Sequence, residues 1–341
     1  MWRSKIETMP RQNLEKLQLE KLKRQVQHVY NNSTLHHKKF GEAGIKPDDI
    51  KTLNDLQKIP PITREDMKNA VTGEDIFGGR LCVPREKLWL MFNPPEMMAQ
   101  PPLIITGMTN NDREEIVEQL TRHLVMAGLL RGDIVELQAS QWEVIGRVME
   151  SIHHMHSSPQ THIPFTSIPV ECTLTLLDVP RMTYLASFFK PRVIITTADV
   201  AKLMAKELEK EGKTPKEAFN PQIVIHRTRP GSPVLKTQMR EEFKNTWGGT
   251  HLNMLDIQDN HFYATECQKC NGLHYWEDHY IVETMNPKTG EITPDGTGNL
   301  VVTNLSEEAT PILRYVSDTK GKIVKEPCDC GRTHARILLE I

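Results

Sequence analysis

Apolar residues recur at helical spacing near the start of the chain. In "IETMPRQNLEKLQLEKLKRQVQHVYNNSTLHHKKFGEAG", Leu14, Leu17, Leu19, Leu22 and Val26 predict one apolar face on a long helix. Asn31-Asn32-Ser33 breaks it, and a second short helix follows. The charges between the apolar positions alternate in sign, which reads as a solvated helix face. In "KPDDIKTLNDLQKIPPITREDMKNA", Thr52 and Thr63 stand where helix caps belong, each ahead of an acidic residue.

The period then changes. "LIITG" and "IVELQAS" read as buried strands around the helix "NDREEIVEQLTRHLVMAGLLRG". "RVIITT" is a strand, followed by an amphipathic helix "ADVAKLMAKELEKEG" that Gly212 ends. "PQIVIHR" and "LKTQMREEFKNTWGG" repeat that pair. Such alternation implies parallel strands with helices on the sheet faces. Further on, "HYWEDHYIVETMNPKTGEITPDGTGNLVVTNL" alternates in period two, with turns at 286–290 and 294–296, and predicts an antiparallel meander. The expected organisation is a helical segment over 1–80, an α/β core over 81–260 and an antiparallel β meander over 261–341.

Composition excludes some functions. The formal net charge is −2 and aromatics are 6%, so neither a field nor a stacking platform for nucleic acid is present. The start, "MWRSKIETMP", lacks a secretory pattern, and no run approaches the roughly 18 apolar residues of a membrane span. A soluble, cytoplasmic protein with reduced cysteines is expected, so paired cysteines point to metal before disulfide.

Four of the six cysteines fall in two tight pairs, "CQKCNGLH" at 267–274 and "PCDCGRTH" at 327–334. Two short clusters closing on one ion are the structural zinc pattern, with no open position for catalysis. Spacing alone favours Cys267, Cys270, Cys328 and Cys330. Cys82 and Cys172 stand alone and read as ordinary buried residues. His153, His154 and His156 lack a nearby carboxylate or thiol, which weakens a metal reading for them. Glu277, Asp278 and His279 are read as sheet-surface residues on alternating faces.

From "KPDDIKTLNDLQKIPPITREDM" onward the chain resembles the phenylacetate–coenzyme A ligases, a branch of the adenylate-forming acyl-CoA ligases. The likeness continues at "MAGLLRGDIV", "FKPRVIITTADVAKLMAKELEKEGKTPKEAFNPQI", "NGLHYWEDHYIVETMNPKTGEITPDGTGNLVVTNL" and "ATPILRYVSDT". The resemblance implies an α/β fold, the large N-terminal domain of adenylate-forming enzymes, with stacked mixed sheets, helices and the C-terminal meander. It also implies a small mobile C-terminal domain, which this chain is expected to lack because it ends at "HARILLEI". Comparison with the family favours Cys267, His274, Cys328 and Cys330 as the zinc ligands. That set is preferred, with Cys270 the alternative and His334 an outer-shell or surface group.

The departures from the family bear on its activity, which joins a carboxylate, ATP and coenzyme A. The phosphate loop is expected to be rich in Ser, Thr and Gly and to end in Gly-Lys. The matching stretch "MFNPPEMMAQPPLIITG" has four prolines, Glu96 and no lysine. Prolines donate no N–H to a phosphate, and the acid repels it. Trp142, Glu143, Val144 and Ile145 stand where small residues line the acyl pocket. "IHRTRPGSPV" replaces the adenine-side motif, of which Pro230 remains. In "LDIQD", Leu255 replaces the tyrosine, Asp256 the glycine and Asp259 the magnesium-holding glutamate, one methylene shorter. Asp318 approximates the aspartate that receives ribose hydroxyls; a capped loop aspartate is the competing reading.

No catalytic residue is assigned, and ATP with magnesium is not expected as a cofactor; structural zinc is. The expected function is a ligase-like, non-catalytic or repurposed subunit that binds a protein partner or another copy of itself. The alternative is an enzyme of this family with altered chemistry that keeps an acyl, aryl or nucleotide pocket.

Overall fold

The computed structural model describes residues 1–93, 102–139, 165–170, 178–228 and 234–339. The chain opens with helices α1 (Ser4–Glu7), α2 (Arg11–Asn32) and α3 (Thr34–Ala43). Ser33 makes the break: its backbone is extended and its hydroxyl caps α3 by accepting the His36 N–H at 3.2 Å. The buried face of α2 is Leu14, Gln18, Leu22, Gln25, Val26 and Val29, while Leu17 and Leu19 are half-buried. Gln18 and Gln25 enter the stripe because their amides donate to the carbonyls of Tyr280 and Glu307, at 3.1 and 2.7 Å. A helix α4 (Arg64–Ala70) starts at Thr63, in a capping box with Asp66, and the 3-10 turn Leu53–Lys58 starts at Thr52 in the same way with Asp55.

Strands β1 (Leu88–Phe92) and β2 (Thr106–Thr109) form an antiparallel pair of their own. The strand expected at "LIITG" therefore does not join the parallel sheet. Its Gly107 is instead held by the Thr310 side chain, which accepts the amide at 3.2 Å and donates to the carbonyl at 3.0 Å. Thr109 then caps α5 (Asn110–Ala127) in a box with Asp112, and Gly128, with φ 111°, ends it.

The remaining strands form one mixed sheet, twelve strands wide among the described residues. β3 (Ile134–Gln138), β4 (Thr166–Val170), β5 (Val193–Thr196), β6 (Ile223–Thr228) and β7 (Thr250–Ile257) run parallel. Then come β8 (Phe262–Glu266), β9 (Leu273–His274), β10 (Tyr280–Met285), β11 (Ile292–Thr293), β12 (Thr297–Asn304), β13 (Tyr315–Val324) and β14 (Arg336–Leu339). The order is β11-β10-β12-β13-β14-β9-β8-β7-β6-β5-β3-β4, with antiparallel pairing from β11 to β7. The meander and the parallel strands thus share one sheet through the β7–β8 pair.

Helices α6 (Val179–Phe189), α7 (Ala198–Glu209), α8 (Pro215–Ala218) and α9 (Thr237–Trp247) complete the α/β half. One sheet face, with Val135, Leu137, Ile195 and Ile225, packs on Leu120 and Leu124 of α5. The other, with Ile194 and Val224, packs on Met182, Met204, Phe243 and Trp247. Burial on both faces explains why Val193, Ile194 and Ile195 form an unbroken apolar run. Among the described residues no helix is long and apolar enough to cross a membrane.

Candidate metal centre

The two cysteine clusters meet because β9 lies between β8 and β14. His274 of β9 is opposite Thr265 on one side and Arg336 on the other. Cys267 follows β8 and opens a tight turn closed by the Cys270 N–H on the Cys267 carbonyl, at 2.9 Å. Gly272 brings the chain back at φ 85°, where a Cβ would lie 2.9 Å from Leu338 Cδ2, so only glycine fits without movement. A second tight turn before β14 carries Cys328 and Cys330, closed by the Gly331 N–H on the Cys328 carbonyl at 2.8 Å.

The ligand atoms of Cys267, His274, Cys328 and Cys330 all lie within 4.8 Å of one another. Cys267 Sγ is 3.8 Å from Cys328 Sγ, and Cys330 Sγ is 3.5 Å from His274 Nε2. A tetrahedral ion with metal–sulfur bonds of about 2.3 Å and a metal–nitrogen bond of about 2.05 Å has sulfur–sulfur edges near ~3.8 Å and sulfur–nitrogen edges near ~3.5 Å. The donor set is that of a four-coordinate d10 cation, and two of its edges already have tetrahedral lengths within a group that spans up to 4.8 Å. Met126 and Trp276 pack around Cys267 and Cys328, with Cys330 half-buried against them. The Cys330 thiol is held far below the usual thiol range, first by the hydrogen bond from Cys267 and also by His274 and Arg332. The same bond and burial push the Cys267 thiol up.

Cys270 lies outside this group. Its backbone is left-handed, with φ 51°, and its thiol faces the Arg240 guanidinium at 3.5 Å. Arg240 is itself forked onto Glu266, at 2.9 and 3.0 Å. Cys82 is buried against the Arg80 carbonyl, and burial pushes its thiol up to about 12. Cys172, His153, His154 and His156 lie outside the described residues, as do Glu96, Trp142, Glu143, Val144, Ile145 and Pro230.

His334 is neither a ligand nor a surface group. It is fully buried, donating from Nε2 to the Ile6 carbonyl at 3.0 Å and accepting the Glu277 N–H at Nδ1, at 2.9 Å. Glu277, Asp278 and His279 are likewise buried in a turn rather than exposed on a strand. The reason is pairing: Arg11 forks onto Glu277, and Arg122 forks onto Asp278 while lying 4.0 Å from the Trp276 ring centre. Against burial, His279 and then Arg122 hold the Asp278 carboxyl well below the usual range.

Asp259 and Asp318 converge on a residue that sequence reading passed over. Arg64 Nη2 is 2.8 Å from Asp259 Oδ2, and Tyr315 donates its hydroxyl to the same oxygen at 2.6 Å. Arg64 Nη1 is 3.7 Å from Asp318 Oδ2, whose side chain is 94% exposed. Asp318 is not on a capped loop. It lies in β13, where the register against β12 shifts between the Val316–Val301 and Lys320–Asn299 pairs. Asp256, at the glycine position, is buried against Arg227 at 2.8 Å, and Leu255 is core. The sequence signal for Arg64 was confined to its place behind the Thr63 cap.

No family model matches the sequence. A phenylacetate-coenzyme A ligase from Thermus thermophilus is 29% identical over 343 residues, covering 99% of this chain and 72% of that protein. One from Aromatoleum evansii is 28% identical, covering 97% and 71%. Among solved structures, 2-hydroxyisobutyryl-CoA ligase in the postadenylation state superposes with a TM-score of 0.84 at 20% identity, covering 99% of this chain and 70% of that one. The same ligase in the thioesterification state, with its adenylate and CoA, gives 0.85 over 98% and 68%.

Proposed function

We propose a role for a chain that is a phenylacetate–coenzyme A ligase homologue within the AMP-forming acyl-CoA ligase family: it does not form an acyl adenylate alone and serves as a repurposed, zinc-braced subunit of a larger assembly. The observation that carries this reading is the state of Asp259. At the position the family likeness assigns to the magnesium acid, one carboxylate oxygen already takes a guanidinium and a phenol hydroxyl. A divalent ion on that oxygen has to displace a cation that is already in contact, and the buried, unpartnered Oδ1 would receive one only beside the same guanidinium. The phosphate-loop stretch adds to this, with four prolines, an acid and no lysine. Adenylyl transfer depends on positioned charge around the phosphates, so both changes act on the largest catalytic contribution.

Cys267, His274, Cys328 and Cys330 would hold the zinc. With four protein ligands it supplies no water-activating position and acts as a brace. Thermal unfolding with ATP and magnesium tests the nucleotide part. No shift is expected, whereas stabilisation of about 2.7 kcal/mol, the effect of a ligand at about 100 times its Kd, would overturn it.

A second reading keeps a nucleotide or acyl pocket with altered chemistry. It is supported by the exposed Asp318 carboxylate beside Arg64, free to accept hydroxyl donors. Thermal shifts with AMP, coenzyme A or aryl acids, but not with ATP and magnesium, would select it.

A further inference from the structure

We infer that the metal centre is the lock of an N-terminal latch: a tetrahedral divalent ion of the zinc type holds the Cys328–Thr333 turn in the form onto which residues 3–11 dock. The inference rests on the metal reading above and is independent of whether the chain adenylates.

The docked segment has little structure of its own. α1 is four residues long, far below the length at which a helix stands alone in water. Its contacts are made instead by the turn behind the cysteines. The Thr333 N–H donates to the Glu7 carbonyl at 3.1 Å, and the Thr333 hydroxyl to the Met9 carbonyl at 2.7 Å. His334 donates to the Ile6 carbonyl at 3.0 Å. Arg332 Nε donates to Glu7 Oε2 at 2.7 Å, and Glu7 is completely buried. Arg11 closes the far end, forked onto Glu277 and donating to the Thr333 carbonyl at 2.9 Å. Undocking the turn therefore strands a buried carboxylate and several backbone carbonyls at once.

The turn, in its own right, is weakly held. It belongs to no strand, and its internal backbone bonds are Gly331 N–H to Cys328 O, at 2.8 Å, and Cys328 N–H to Arg332 O, at 3.1 Å. It carries two of the four ligand atoms, on Cys328 and Cys330, and Arg332, which holds Glu7, also contacts Cys330. Without a cation, three sulfurs and an imidazole crowd within 4.8 Å, joined by weak thiol contacts, two of them at 3.8 and 3.5 Å. With the cation, the same crowding becomes four bonds. Order then passes from metal to turn to segment. The β10–β12 and β12–β13 pairs lie farther along the sheet and involve none of the ligands.

Hydrogen exchange tests this on the whole chain, loaded with zinc and after chelation, with metal content measured on the same samples. One metal per chain and at least tenfold faster exchange at residues 5–9 after removal, with β10 and β12 unchanged, are expected. Glu7→Ala should free the segment equally while keeping the metal, because the latch lies downstream of the lock. Unchanged protection after verified metal loss overturns the latch and leaves the centre intact. Concerted acceleration in β10 and β12 overturns it as well, by making the metal a support of the whole meander, and so does metal loss in Glu7→Ala. A chain that takes up no zinc at all fails the metal reading itself.

Discussion

Arg64 and Asp259 face each other at 2.8 Å across the junction of α4 with the sheet, and Tyr315 supplies a second donor to the same oxygen. Asp259 is buried, whereas the Arg64 side chain is about one-third exposed. Removing the partner leaves a buried carboxylate with one donor fewer. Arg64→Ala is expected to lower the unfolding free energy by about 2 kcal/mol, as for hydrogen bonds to charged groups. Urea titration checks this, and an unchanged midpoint would show that solvent replaces the pair at no cost.

Cysteine replacements separate the ligands. Cys267→Ser and Cys328→Ser should each abolish stoichiometric zinc, since both thiols lie inside the four-membered group. Cys270→Ser should keep one metal per chain, because its thiol faces Arg240. Elemental analysis of protein purified with and without added zinc distinguishes these; metal loss in Cys270→Ser would reassign the fourth ligand.

Burial pushes the Glu136 carboxyl up to about 7, against the hydrogen bond that Gln138 donates at 2.6 Å. The folded value is above the ordinary 4.5, so the folded state keeps a proton that the unfolded chain releases. This contribution is full below pH ~4.5 and falls by about 3 kcal/mol as pH rises through about 7. Glu136→Gln should therefore gain stability over the wild type at pH 8 but not at pH 4.5. Parallel pH profiles for the two proteins would count against a buried, proton-holding Glu136.

Burial, helped by Arg80, lowers His36 to about 3. The neutral ring accepts the Leu313 N–H at Nε2 and contacts the Ser33 hydroxyl, 2.8 Å from Nδ1. Its folded value is depressed, so stability is retained above pH ~6.5 and lost as pH falls toward 3. Between pH 6.5 and 4, His36→Gln should show a shallower acid branch in urea midpoints. An unaltered slope would place the titrating groups elsewhere.

Periodicity was enough to read most of the longer helices and the parallel strands β3, β5 and β6, because burial on one stripe or on two faces leaves a direct imprint on residue choice. β5 and the α2–α3 break at Ser33 are of that kind. Periodicity missed β4, β7 and α6, and misplaced "LIITG". Partnerships formed at long range leave no such imprint. Gln18 and Gln25 look like solvent-facing residues until the meander carbonyls are placed against them. Glu277 and Asp278 look like sheet surface until Arg11 and Arg122 arrive from more than 150 residues away. The cysteine clusters were legible as a metal pattern from ligand type and spacing. Which four converge depended on the left-handed backbone at Cys270, which spacing does not encode.

ATP–pyrophosphate exchange, run with magnesium and a panel of aryl and aliphatic acids, is the most direct test of the proposed loss of adenylation. With Asp259 engaged by Arg64 and Tyr315, no acid-dependent exchange above background is expected. Clear exchange with any acid, abolished in Asp259→Asn, would mean that a magnesium-loaded nucleotide is held and activated, and would contradict the proposal.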